Sequence, residues 1–156
     1  MSKICIDADG CPVVKEIIQI AKEFQLKVII FCDTSHHFEI EGVQTVMVSK
    51  GADAVDFALV NQIQKGDIAI TQDYGLAAMV LAKGGFVMNQ NGLQYTAHNI
   101  DQLLYSRHIN QKIRQIGGRT KGPKKRTKEA DDQFINHFRK LCEYVTSNHY
   151  PSSGGD

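Results

Sequence analysis

Short apolar, β-branched runs alternate along this chain with segments of helical periodicity, and the apolar runs end on aspartates. Residues 3–7 (Lys-Ile-Cys-Ile-Asp) are the first such run, closed by Asp7 and Asp9. Pro12 suits the first turn of a helix, where a missing N–H is no loss. Val14, Ile17, Ile18 and Ala21 then follow at i, i+3, i+4, i+7 spacing, with Phe24 extending the face. Residues 27–32 read as a strand, 33–42 as a polar loop, and 43–49 alternate as a strand does. Gly51 breaks the chain before a helix from about 53 to 64, with Val55, Leu59, Val60 and Ile63 on one side. Gly66-Asp67 turns into a strand at 68–71, residues 75–83 are of helix length, and Gly84-Gly85 precedes a last short strand at 86–88. Asn91-Gly92 marks a tight turn. Helices are predicted from about 99 to 116 and from about 129 to 145.

This alternation implies an α/β fold: a three-layer sandwich around a mainly parallel sheet of about five strands. Right-handed crossovers place every strand-to-helix loop at the same carboxyl edge, where such sheets bind ligands. The expected organisation is an α/β domain over 1–116 and a basic flexible linker over 117–128. A C-terminal helix over 129–146, packed on the same domain, and a disordered tail over 147–156 complete it. A length of 156 residues fits one domain with a real core. No apolar run approaches the roughly 20 residues that span a bilayer. The first residues lead into a strand, not a signal core. The expectation is therefore a cytoplasmic protein with no membrane partner. Cys5, Cys11, Cys32 and Cys142 form no CxxC pair, which argues against a zinc or disulfide framework.

A net charge of +1 conceals an asymmetry. Residues 1–101 carry 7 Lys/Arg against 12 Asp/Glu, whereas 102–128 carry 9 Lys/Arg and no acid. An acidic body with one concentrated basic segment points to a polyanionic partner.

Six carboxylates fall at the predicted carboxyl edge. Asp7 and Asp9 follow the first strand, Asp33 the second, Asp53 and Asp56 open the helix after the third, and Asp73 follows the fourth. Like charges this close raise one another's pKa unless a cation offsets them. Hard oxygen ligands of this kind suit Mg²⁺ or Mn²⁺. Each acid also has a plainer reading. Asp7 or Asp9 would cap the helix near Pro12, Asp53 and Asp56 would be an N-cap and an N3 acid, and Asp73 would cap the next helix. Asp33 reads best as a loop residue, and Asp67, at the opposite edge, as a turn residue.

Ile6-Asp7-Ala8-Asp9-Gly10 after a strand resembles the first motif of haloacid-dehalogenase-type phosphatases, which would make Asp7 a nucleophile and Asp9 an acid. Thr34, Lys50 and residues 51–56 fit its later motifs poorly, because the final acidic motif should follow a late strand and here precedes the 68–71 strand. A closer resemblance is to the bacterial YaiI/YqxD family, related to PIN-like nuclease domains. Its markers here are Ile6-Asp7-Ala8-Asp9-Gly10-Cys11-Pro12-Val13, Gly51-Ala52-Asp53-Ala54-Val55-Asp56, and Gly66-Asp67-Ile68-Ala69-Ile70-Thr71-Gln72-Asp73 with Gly84-Gly85. Later markers are Leu93 to Asn99, Gly117-Gly118 and Gly122-Pro123. Position 10 is Gly where the family leads one to expect a small residue such as Ala. The resemblance covers roughly residues 3–145 and implies a PIN-like sandwich with acids at the carboxyl edge.

The chemistry expected of such a site is metal-dependent hydrolysis of phosphodiester bonds in RNA or single-stranded nucleic acid. Asp7, Asp9 and Asp73 are the candidate catalytic residues. Together with Asp53 and Asp56 they are the candidate ligands of Mg²⁺ or Mn²⁺. Arg114, Arg119, Lys121, Lys124, Lys125 and Arg126 are the candidate phosphate contacts. The alternatives are the phosphatase and a non-catalytic nucleic-acid-binding module. The absence of aromatic residues from 106–133 argues against base stacking there. His36 and His37 lie in a loop near Asp33, while His98, His108, His137 and His149 show no ligand spacing. Cys11, at a predicted helix N-terminus, is a candidate for a lowered pKa.

Overall fold

The computed structural model describes residues 2–35, 40–51, 53–117 and 125–147. Six strands form one sheet in the order β3-β2-β1-β4-β5-β6. They are β1 (Lys3–Asp7), β2 (Lys27–Asp33), β3 (Gln44–Val48), β4 (Ile68–Ile70), β5 (Phe86–Met88) and β6 (Gln94–Tyr95). All pairings are parallel except β5 with β6. The expected five strands are present; β6 is the addition, a two-residue strand turned back by the Asn91-Gly92 hairpin. That turn is held by Gly92 N–H donating to the Asn89 carbonyl at 3.1 Å, and Gly92 takes a φ of +88° that glycine adopts without strain.

Helices cover both faces, which makes the sandwich three-layered. Alternation along β1 sends Ile4 and Ile6 to one face and Cys5 to the other, and β4 does the same with Ile68 and Ile70 against Ala69. On the first face lie α1 (Val14–Glu23) and α5 (Lys128–Ser147), burying Val14, Ile17, Ile18 and Ala21 with Phe134, Phe138 and Cys142. On the second lie α2 (Ala54–Gln62), α3 (Tyr74–Ala82) and the start of α4 (Ile100–Gln115), burying Leu59, Leu76, Ala77, Val80 and Ile100. Pro12 stands just before the first helix rather than inside it, since α1 begins at Val14 with Val13 as its N-cap.

The chain moves outward from β1 to β2 and β3, then returns to add β4, β5 and β6 on the other side of β1. This reversal creates a topological switch point between the carboxyl ends of β1 and β4, where diverging loops leave a crevice. Asp7 ends β1 there, and Thr71-Gln72-Asp73 follows β4. At the amino edge, Asp67 is buried and accepts from the Lys3 N–H (3.1 Å), the Lys3 ammonium (2.5 Å) and the Gln64 N–H (2.9 Å). The expected turn residue is thus a buried anchor for the start of two strands. Among the described residues no helix is long and apolar enough to cross a membrane.

Candidate active site

The crevice opens into a cavity of about 630 Å³. One wall is the β1–α1 loop with Asp7, Asp9 and Gly10, and the floor is Gln72, Asp73 and Tyr74 from the start of α3. The opposite wall is a polar face of α4 formed by Ser106, Arg107, Asn110 and Arg114. The loops are tied together across the crevice. The Gln72 side-chain amide donates to the Gly10 carbonyl at 2.8 Å. Gly10 takes a φ of +79°, so an alanine there would be strained.

Thr71 links two of the acids. Its buried hydroxyl donates to Asp7 Oδ2 at 2.7 Å and accepts from the Asp73 backbone N–H at 3.0 Å. Asp73 in turn caps α3 by accepting from the Leu76 N–H at 3.1 Å, while the Arg107 guanidinium stands 3.8 Å from the same Oδ1. The capping and cleft-lining readings of Asp73 therefore both hold. The N-cap position of α1 is Val13, whose side chain makes no capping bond, so neither Asp7 nor Asp9 stands at the cap itself. Asp9 Oδ2 instead accepts from the Asp33 N–H at 3.3 Å, fastening the end of β2.

The remaining acids do not line the cavity. Asp56, at the third position of α2, shares a hydrogen bond with the Asp73 carboxyl without lining the cavity itself. Asp53 is the α2 N-cap but takes left-handed backbone (φ +65°) and makes no capping bond through its side chain. It reaches the group only as a charge felt by Asp56. Asp33, expected in the loop, is instead the last residue of β2, and its carboxylate accepts from the Ser35 N–H at 2.8 Å.

Electrostatics register the crowding. Burial pushes the Asp7 carboxyl up to about 6; the Thr71 hydrogen bond opposes the rise, and the charges of Asp9 and Asp73 add to it. Asp56 is pushed up to about 7, by burial first and then by Asp73 and Asp7. Cys11 departs from expectation: burial pushes its thiol up to about 11, outweighing the Val13 N–H that bonds to it, so it is no activated nucleophile.

Among the described residues no three His, Cys, Asp or Glu side chains close into a ready cage for a metal ion. The donor set still fits Mg²⁺ or Mn²⁺, which keep several waters and take only one or two carboxylates. Asp7, Asp9 and Asp73 present hard oxygens to one cavity, and their mutual repulsion is what a cation relieves.

The basic residues divide. Arg114 lines the cavity, and so does Arg107, which lay in the basic segment without being singled out. Arg107, Asn110 and Arg114 recur at i, i+3, i+7, the helical spacing that could have grouped them. Arg126 bonds within the chain, to Asp131 Oδ1 (2.6 Å), Asn91 Oδ1 (2.7 Å) and the Gln90 carbonyl (2.7 Å). It fastens the start of α5 to the β5–β6 hairpin. Lys125 is exposed, whereas Arg119, Lys121, Lys124, His36, His37 and His149 lie outside the described residues. His137 Nδ1 is 2.9 Å from the Gly92 carbonyl, a structural contact with the hairpin.

Comparison with known proteins matches residues 5–144 to a family model described as "Uncharacterized BCR, YaiI/YqxD family". The chain belongs to the YaiI/YqxD family. It is similar to a UPF0178 protein of Exiguobacterium sibiricum, 52% identical over 92% of this chain and 99% of that one. Similar relatives occur in Ruminiclostridium cellulolyticum (52% identical, over 85% of this chain and 86% of the relative) and Clostridium acetobutylicum (45%, over 89% and 95%). No solved structure matches the chain. The first and third stretches of family markers wall the candidate site: residues 6–13 include its β1–α1 side and residues 66–73 most of its floor.

Proposed function

We propose that the protein is a divalent-metal-dependent nuclease, PIN-like in plan, that hydrolyses phosphodiester bonds of RNA or another single-stranded nucleic acid in the cytoplasm. One observation carries the proposal: Asp7, Asp9 and Asp73 line a single cleft together with Arg107 and Arg114 at the switch point of the sheet. Acids alone would repel a polyanion, and bases alone would bind one without acting on it.

Asp7, Asp9 and Asp73 would hold Mg²⁺ or Mn²⁺, with Asp56 and Asp53 behind them. Such an ion, when bound, lowers the pKa of a coordinated water and neutralises charge on the phosphate. The chain's own residues supply placement. Thr71 fixes the Asp7 carboxylate through its hydroxyl, and the N-terminus of α3 fixes Asp73 through the Leu76 N–H. Asp56 steadies Asp73 from behind. Arg107, beside Asp73, offsets its charge and offers a guanidinium to a phosphate oxygen.

The purified protein with Mg²⁺ or Mn²⁺ should cut generic RNA, chelation should stop it, and Asp7→Asn should abolish it. Equal cutting by Asp7→Asn would mark the activity as a contaminant's and end this reading.

A further inference from the structure

The cleft holds one feature that hydrolysis of a phosphodiester does not require. Tyr74, the first residue of α3, lines the cavity directly after Asp73. Its ring meets the buried Tyr95 in an edge contact, with centroids 5.8 Å apart and an interplanar angle of 67°. A tyrosine braced by the core and open to a cavity loses little side-chain entropy when a flat ligand covers it.

The opposite wall adds a second constraint. Arg107 and Arg114 are seven residues apart on α4, so they lie on one face about 10 Å apart along the helix axis. Two guanidinium groups rooted so far apart suit two positions along a backbone rather than one phosphate. The cavity, about 630 Å³, is of the size that encloses a small molecule, not a double helix. The Gln72 amide spends one of its two N–H groups on the Gly10 carbonyl, which fixes its orientation in the floor.

Resting on the phosphodiester reading above, we propose that the cleft selects an unpaired strand. Tyr74 is the platform on which one base stacks, and Arg107 and Arg114 hold the backbone at two points on either side of the phosphate facing Asp7 and Asp73. A base within a duplex is stacked on its neighbours and cannot reach Tyr74 without being extruded. Stacking on an aromatic ring tolerates any base, so the site takes single strands with little sequence preference.

The test is fluorescence anisotropy in Mg²⁺ with a labelled eight-nucleotide RNA and the same RNA in a duplex, with cleavage followed in the same samples. The single strand should bind at least about tenfold more tightly than the duplex. Tyr74→Leu should weaken single-strand binding roughly 5- to 100-fold, the equivalent of one lost base stack, and Tyr74→Phe should recover most of it. Arg107→Gln and Arg114→Gln should each lower the slope of log affinity against log salt by about 0.7. Thermal melts of each variant check that it remains folded. Equal affinity for duplex and single strand, wild-type affinity in Tyr74→Leu, or no binding of either RNA by the wild type would overturn the inference. RNA bound with these dependences but never cut would sink the nuclease reading alone. RNA cut with unchanged KM and kcat by Tyr74→Leu would sink this inference and leave the nuclease standing.

Discussion

Two aspartates are held in opposite circumstances at the two ends of the central strands. At the amino edge Asp67 is buried and met by donors: two backbone N–H groups and the Lys3 ammonium. At the carboxyl edge Asp7 is met, among the described residues, by one donor, Thr71, and otherwise by the charges of Asp9 and Asp73. The sheet thus stabilises a carboxylate at one end and leaves one under-compensated at the other. A buried charge with its partners in place is a structural element, whereas one facing like charges either keeps its proton or is relieved by a cation, as proposed above.

The largest expected effect breaks the satisfied side. Asp67→Ala leaves the Lys3 ammonium and two N–H groups without their acceptor, which should cost about 3–5 kcal/mol in chemical denaturation. Cation binding at the other edge should persist in whatever fraction stays folded.

The opposite sign is expected at the crowded end. The Asp7 carboxyl holds its proton to about 6 when folded, against an ordinary aspartate value of 3.8, so the folded state binds more protons than the unfolded chain between those values. Its contribution is fully present below about pH 4, is lost as pH rises to about 6, and is flat above. Asp7→Asn should therefore stabilise the metal-free protein by roughly 2–3 kcal/mol at pH 8, an upper figure from the size of the shift. Melting curves against pH in EDTA check this, and saturating Mg²⁺ should restore the wild type's lost stability while doing little for the variant.

A smaller effect sharpens the comparison at its hinge. Thr71→Val removes the hydroxyl donor to Asp7 and the acceptor of the Asp73 N–H, which should cost about 1–2 kcal/mol. Because the Thr71 bond holds the Asp7 pKa down, the pH window of instability should also move upward in Thr71→Val. Thr71→Ser, which keeps the hydroxyl, should leave the window where it is.

Much of this was legible because strand and helix periods are written directly into β1, α1, β2 and β4. Once alternation implies a parallel sheet, crossover handedness alone gathers Asp7, Asp9, Asp56 and Asp73 to one edge. What escaped the sequence depended on tertiary approach. β6 has two residues, too few to show alternation. Tyr74 reaches the cleft from α3, so a search for aromatics within the basic segment could not find it. Arg126 looks like its basic neighbours in sequence, yet bonds to Asn91, 35 residues away, through a hairpin that only the fold supplies. Asp53 stands at a helix start as a cap should, but its left-handed backbone goes with no capping bond from its side chain.

The account turns on whether the carboxyl edge binds a divalent ion, and calorimetric titration of Mn²⁺ into the metal-free protein tests that most directly. Wild type should show saturable binding, and the Asp7→Asn/Asp9→Asn double variant should show none while remaining folded. Absence of binding to the wild type, or equal binding by the double variant, would contradict the account.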